Sequence, residues 1–350
     1  MFVTLEQTDA AELHQFRDPA TGLRALIALH STRLGPALGG CRCLPYPDEH
    51  TALNDVCRLA RGMSYKAALA GLPLGGGKAV IMEPDKPYDR AALYRAFGDA
   101  VNRLGGRYIT AMDAGTEITD LDQVATRTRH VWGFSGDGMD PSPYTALGVF
   151  AALDAGIRHR FQRHGAKGLH IAIQGLGHVG SQLALMLARA GARLTLADLD
   201  PRRAQRLADR LNTRWVPADS LYDVACDIFM PCALGGVLNA DTIPRLHAGL
   251  IVGAANNQLA SDDDAQRLRQ RDILYTPDYL NNAGGLISLA LGHRQEDRST
   301  IRQKVLGIGR TLSQLLDQAD QHHLSPAQMA DRQAEQRLHD DTGKHAWEAA

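Results

Sequence analysis

Several things are scarce in this sequence, and each scarcity excludes a class of protein. No apolar run approaches the ~20 residues of a bilayer-spanning helix, so no membrane span is expected. Charge of neither sign is in excess. With 38 Lys+Arg against 39 Asp+Glu, the formal net charge is −1, which removes the bulk electrostatic argument for a nucleic-acid partner. Cysteine is sparse and poorly spaced: Cys41, Cys43, Cys57, Cys226 and Cys232 form neither a disulfide framework nor a paired CxxC site. No HExxH occurs among the 14 histidines, so no metal centre is expected. The thiols read as reduced and buried, in keeping with a cytoplasmic protein. MFVTLEQTDAAELHQF lacks a basic segment ahead of an apolar core, and no secretory signal is expected there. Glycine, in contrast, is plentiful: 34 of 350 residues, about 10 % against the usual ~7 %.

The length suits two domains with full cores. In the first part, Arg24–His30, Lys78–Met82 and Arg107–Ala111 read as strands. A helix is expected over Thr51–Lys66, where Leu53, Val56, Leu59, Ala60 and Met63 recur at helical spacing. Another follows Pro87, with Leu93, Phe97 and Val101 on one face. From Gly168 onward strand and helix alternate, through Leu169–Gln174, Arg193–Asp198, Cys226–Met230, Leu250–Val252 and Ile273–Tyr275. That alternation predicts an α/β fold with a parallel, doubly wound sheet. The Gly/Asp/Ser/Pro-rich stretch Phe134–Pro143 reads as the crossing between domains. Two helical segments follow Gly285, the second opening at Ser325-Pro326. The last dozen residues are polar and read as a fraying end.

The clearest motif is Gly175-Leu176-Gly177-His178-Val179-Gly180, between a predicted strand and a predicted helix. In that context GxGxxG lets a pyrophosphate approach the backbone at a helix N-terminus. Asp198 ends the next strand, 23 residues after Gly175, at the spacing of a carboxylate for the adenosine ribose. This favours NAD over NADP, with Arg202 and Arg203 the residues that would rescue NADP. A second glycine run, Gly75-Gly76-Gly77, precedes Lys78 but fails as a P-loop, since Leu72 and Ala79 break GxxxxGK[ST]. Lys66 closes the predicted helix upstream. If the two lysines converge, one cation holds a substrate carboxylate and its charge makes the other easier to use as a base. Lys66 could equally be a helix C-terminal cation. Asp113 ends a strand, where a carboxylate faces the crevice of an open sheet or caps a turn. Gly35–Gly40 and Asn281–Gly285 read, alone, as turns.

Taken together and in order, GPALGGCR, RGMSYKAALAGLPLGGGKAVI, RYITAMDAGT, PSPYTALGVF, IQGLGHVG, PCALGGVLN, IVGAANNQL and YTPDYLNNAGGLI resemble the Glu/Leu/Phe/Val amino acid dehydrogenase family. The closer match is its leucine, phenylalanine, valine and tryptophan branch. The resemblance implies a catalytic and oligomerisation domain (1–133), a Rossmann-type NAD-binding domain (134–322) and a C-terminal helix (323–350) packing back towards the first domain. It implies NAD-dependent, reversible oxidative deamination of an L-amino acid to its 2-oxo acid and ammonium, by a homo-oligomer. Carried over by position, Lys66 binds the substrate carboxylate with the backbone of Gly39 and Gly40. Lys78 is the general base for the attacking water, and Asp113 exchanges protons with the substrate nitrogen. Thr145, Asn256 and Asn257 fall near the nicotinamide and the substrate amino group, and Ala233 near the cofactor ribose.

Leu38, Ala111, Leu286 and Leu289 fall at specificity positions. Their apolar lining argues against an acidic substrate. It favours leucine and other branched chains, with phenylalanine or tryptophan as rivals. Met112 departs from the family pattern, which often has an acidic residue there, as does Asn281-Asn282, where an apolar residue plus Asn is usual. Other classes stay in view: a 2-hydroxy acid dehydrogenase, and a catalytically silent NAD or amino-acid sensor. Lys78→Ala separates sensor from enzyme. An enzyme loses kcat by roughly a hundredfold or more yet still binds NAD in a fluorescence titration. A sensor keeps its ligand response intact.

Overall fold

The computed structural model describes residues 9–138 and 140–340; the fraying end expected for the last dozen residues lies largely outside them. The chain forms two compact units. One comprises Met1–Asp140, Leu289–Glu296 and Gln333–Ala350, the other Pro141–Ser288 and Asp297–Arg332. The division at Asp140–Pro141 falls within the Pro/Gly-rich stretch. The return of Leu289–Glu296 to the first unit has no counterpart in the sequence reading.

The first unit is built on a five-stranded sheet of β1 (Glu12–Asp18), β2 (Leu23–Ser31), β3 (Ala37–Leu44), β4 (Gly75–Met82) and β5 (Tyr108–Met112). The spatial order is β1-β2-β4-β3-β5. The pairs β1/β2 and β2/β4 are antiparallel, whereas β4/β3 and β3/β5 are parallel. Alternation along each strand sorts side chains to two faces. Ile27, Leu29, Ala79 and Ile81 pack with Leu93, Tyr94, Phe97 and Val101 of α2 (Arg90–Arg103) and with Leu121 and Val124 of α3 (Ile118–Ala125). Leu26, Ala28 and Val80 pack with Ala52, Val56, Cys57 and Ala60 of α1 (Glu49–Leu69). Helix α1 starts where Asp48 accepts a hydrogen bond from Thr51 N, and Glu49 complements its dipole. It runs three residues past Lys66, which lies in the last turn and not at the end. Lys78 shares the α1 side of the sheet with Val80, two residues on.

The glycine run at 35–40, read as a turn, lies largely in a strand, and the one at 75–77 belongs to the strand expected to begin at Lys78. Gly39 and Gly40 lie inside β3, and Gly75–Gly77 open β4. Glycine is rare in strands on average, but here neighbouring backbone takes the space of a side chain. A Cβ on Gly76 would stand 2.0 Å from Ser64 N of α1, and one on Gly39 1.7 Å from Gly77 O. Asn281–Gly285 is a turn only at Asn282 and Ala283, between α8 (Asp278–Asn281) and α9 (Gly284–His293).

The second unit holds a six-stranded sheet of β6 (His170–Gln174), β7 (Arg193–Ala197), β8 (Arg214–Trp215), β9 (Ile228–Pro231), β10 (Leu250–Ile251) and β11 (Leu274–Tyr275). Every pair is parallel, in the order β11-β10-β9-β6-β7-β8. Counted within the unit this is the doubly wound dinucleotide-binding order, with its switch point between β6 and β9. The parallel sheet expected from strand–helix alternation is therefore present. Helix α4 (Ser142–Phe161) packs along α10 (Arg298–Gln321), and α5 (His178–Arg189), α6 (Pro201–Leu211) and α7 (Asp263–Gln270) complete the layers.

The last helix, α11 (Pro326–His339), starts in the second unit and ends in the first. There Tyr65 Oη donates to Glu335 Oε1 at 2.7 Å and Arg337 Nη1 donates to Ala68 O at 2.8 Å, so the end of this helix bonds to α1. All five cysteines are free. No helix among the described residues is long and apolar enough to cross a membrane.

Two glycine substitutions test this packing with opposite signs. Gly76→Ala forces α1 off the sheet and costs ~1–3 kcal/mol or more. Gly62→Ala, inside α1 with open space around it, gains ~0.5–1 kcal/mol from helix propensity. Urea unfolding of the two variants beside the parent measures both.

Candidate active site

The strand ends of the first unit gather a cluster of buried charge. Lys78, in the middle of β4, is 6 % exposed, and its Nζ lies 2.8 Å from Asp113 Oδ2. Asp113 follows β5 directly; its backbone N–H donates to Thr116 Oγ1 at 2.9 Å and its C=O accepts from the same hydroxyl at 2.7 Å. Gly40, on the neighbouring strand, makes room for it, because a Cβ there would lie 2.9 Å from Asp113 Cβ and 2.5 Å from Met112 O. A third charge completes the cluster. Arg42 Nε donates to Asp113 Oδ2 at 3.0 Å, and Arg42 Nη1 donates to Asp55 Oδ2 at 3.0 Å. Tyr46 Oη donates to the same Asp55 oxygen at 2.6 Å. Burial alone would raise the pKa of Asp113, but the charges of Lys78 and then Arg42 outweigh it and hold the carboxyl well below the usual carboxylate range. For Arg42, burial disfavours the charge, and Asp113 and Asp55 more than offset it.

The remaining first-unit positions lie on β3, β5, α1 and α9. Leu38 and Ala111 are buried apolar residues on adjacent strands, Ala111 directly opposite Gly40 in the β3/β5 register. Lys66 is half-buried, two residues beyond the Ser64 backbone that abuts Gly76. Leu289 lies against Gly133, with Cδ2 3.8 Å from where a Cβ would stand.

A second set of residues converges at the strand ends of the other unit. Gly175 has φ +91 and closes against Ala233, while a Cβ on Gly180 would meet Gly175 O at 2.0 Å. Gly177 has nothing within 4 Å of a Cβ position and caps α5 with no side-chain hydrogen bond. The helix N-terminus therefore offers free N–H groups across open space. His178 is exposed and opens the helix, followed by Val179. Asp198 Oδ2 accepts from Leu176 N at 2.7 Å, tying the end of β7 to the glycine turn, and Arg203 Nη1 stands 3.4 Å from Asp198 Oδ1. Thr145 Oγ1 lies where a Cβ on Gly285 would intrude, at 2.6 Å. Leu286, next along α9, is buried. Asn256 is exposed and its Oδ1 accepts from Asn282 Nδ2 at 2.9 Å. Asn257 has φ +51 and its C=O accepts from Gly236 N at 2.7 Å. The glycine turn, the uncapped helix and the carboxylate at the next strand end fit a dinucleotide.

Arg42, Asp55 and Tyr46 had no role in the sequence reading. The available signal was Arg42 two residues after Gly40, on the same face of a strand that the glycines had disguised as a turn. Leu199 and Leu234 were missed as well. They are 79 % and 66 % exposed, directly after Asp198 and Ala233, beside the glycine turn.

Residues 11–130 match the model of the Glu/Leu/Phe/Val dehydrogenase dimerisation domain, and residues 195–339 that of glutamate/leucine/phenylalanine/valine dehydrogenase. The chain belongs to the Glu/Leu/Phe/Val dehydrogenase family. Among similar members, a leucine dehydrogenase from Thermoactinomyces intermedius is 40 % identical over 341 residues, 97 % of this chain and 93 % of its own. A phenylalanine dehydrogenase from Caldalkalibacillus thermarum is 39 % identical, covering 96 % and 93 %. The crystal structure of L-tryptophan dehydrogenase from Nostoc punctiforme superposes with a TM-score of 0.83 at 38 % identity, over 97 % of this chain and 99 % of that one. Within the Glu/Leu/Phe/Val dehydrogenase family, this chain is an amino acid dehydrogenase, an oxidoreductase, as its motifs led one to expect.

The depressed carboxyl of Asp113 makes stability depend on pH. Its contribution is complete above the ordinary carboxylate pKa of ~3.9 and is lost as pH falls through the lower folded-state value. Asp113→Asn leaves Lys78 and Arg42 without their shared partner, at a cost of ~3–5 kcal/mol near neutral pH. That deficit shrinks as pH drops below about 4. Urea unfolding of parent and variant at about pH 7 and about pH 3 measures it.

Proposed function

We propose that this amino acid dehydrogenase catalyses NAD-dependent, reversible oxidative deamination of an apolar L-amino acid, leucine or another branched chain, to the 2-oxo acid and ammonium. One observation carries the reading: a buried lysine in the middle of β4 and a half-buried aspartate just past β5, 2.8 Å apart. Deamination needs two proton-handling groups, one for the substrate nitrogen and one for water. Asp113 exchanges protons with the nitrogen as amine, imine and carbinolamine interconvert. Lys78 takes the proton of the water that attacks the imine carbon. Lys66 and the backbone of Gly39 and Gly40 hold the substrate carboxylate, so that the reacting carbon is fixed before chemistry. Leu38, Ala111 and Leu289 of the first unit supply an apolar lining, in which a second carboxylate on the substrate would find no partner; Leu286 is the apolar specificity position of the second unit.

Bound NAD supplies the hydride acceptor. Gly175, Leu176, Gly177, His178, Val179 and Gly180 would hold its pyrophosphate, Asp198 its adenosine ribose, and Leu199 and Leu234 would flank the adenine. Ala233, Thr145 and Asn256 would line the nicotinamide half, with Asn257 towards the substrate amino group. A 2′-phosphate would meet the Asp198 charge, and Arg203 already faces that carboxylate, which supports NAD over NADP. The match of residues 11–130 to a dimerisation domain supports a homo-oligomer assembled through the first unit.

A second reading, an aromatic substrate, is supported by the likeness to the L-tryptophan dehydrogenase structure at a TM-score of 0.83. A panel of leucine, valine, isoleucine, phenylalanine and tryptophan with NAD and NADP decides. The branched chains with NAD are expected to give the highest kcat/KM. The highest value with phenylalanine or tryptophan establishes the second reading, and no NAD reduction with any of the twenty L-amino acids defeats both.

A further inference from the structure

We propose that Arg42 is a positioning residue for this reaction: it clamps one oxygen of Asp113 and leaves the other presented for proton exchange with the substrate nitrogen. The inference deepens the reading above and rests on it. Arg42 Nε and Lys78 Nζ both engage Oδ2 of Asp113, at 3.0 and 2.8 Å. Among the described residues no donor reaches Oδ1. A carboxylate whose two oxygens are equivalent can turn about its Cβ–Cγ bond. Two cations on a single oxygen remove that freedom.

Arg42 is itself held from the far side, by Asp55 of α1, which also accepts from Tyr46. The guanidinium therefore ties α1, which carries Lys66, to the strand end that carries Asp113. A lysine at 42 would supply one point charge and no fork. The charged and titratable groups involved come from four elements: Lys78 of β4, Arg42 of β3, Asp55 of α1 and Tyr46 beyond β3. Without Arg42, Asp113 keeps one cation against its own burial, so its carboxyl titrates at higher pH.

The test compares Arg42→Leu, Arg42→Lys and Asp55→Asn in the full-length protein with the best amino acid of the panel. Arg42→Leu is expected to lower kcat by roughly tenfold to a hundredfold. It leaves KM for the amino acid within about threefold, because the carboxylate-binding lysine is untouched. The acid limb of its pH–rate profile moves to higher pH. Arg42→Lys recovers part of kcat and returns the limb towards its original position. NADH binding, read by fluorescence, stays unchanged throughout. Should Arg42→Leu fail to fold by circular dichroism, Asp55→Asn decides: it removes the anion that shares Arg42 with Asp113, so the limb moves the other way, to lower pH. A folded Arg42→Leu, or failing that a folded Asp55→Asn, with the limb unmoved overturns the proposal, whether or not kcat falls, because Arg42 then only braces the fold. A parent protein inactive with every amino acid defeats the underlying reading instead, and is seen before any variant is made.

Discussion

Three charged side chains are withdrawn from water at the strand ends of the first unit, and each depends on the others for being there. A lone ion moved into a protein interior costs several kcal/mol even after relaxation. Lys78 is 6 % exposed and is sustained by Asp113; Asp113 is sustained by Lys78 and Arg42; and Arg42 is shared with Asp55. Strand register brings Arg42 beside Lys78's strand, the turn after β5 aims Asp113 inward, and α1 delivers Asp55. Loss of any one leaves an uncompensated charge, so fold and chemistry are coupled at this point.

Glycine makes that approach possible. The surplus of glycine is spent mainly where a Cβ would collide with a backbone atom. Gly40 lets Asp113 close on β3, Gly76 lets α1 lie on β4, and Gly175 and Gly180 let the turn after β6 fold tightly. Gly177 differs in facing open space. In both units, close packing is thus what most of these glycines serve.

Much of this was legible beforehand, for identifiable reasons. The Rossmann-type sheet announces itself through buried parallel strands that read as continuous apolar runs and a glycine motif at a strand–helix junction. Lys78 and Asp113 were legible as candidates because the first follows three glycines into an apolar run and the second directly follows a strand. What escaped did so because local propensity competes with tertiary packing. β3 looked like a turn and β4 was expected to start three residues late, since glycine disfavours strands unless a neighbour occupies the side-chain space. With β3 hidden, the alternation that puts Arg42 on the face of Gly40 was hidden too. Leu199 and Leu234 were invisible for another reason: exposure is a property of the folded chain and leaves no periodic trace.

The central claim is that Lys78 and Asp113 act as one proton-handling unit, and a double-mutant cycle on kcat/KM tests it most directly. Lys78→Ala, Asp113→Asn and the double variant are compared with the parent, using the best amino acid and NAD. Groups that act together lose nearly everything when either is removed. The account therefore predicts that the double variant is no worse than the poorer single one, within about threefold. Losses that multiply, the double variant falling by the product of the single effects, would contradict it.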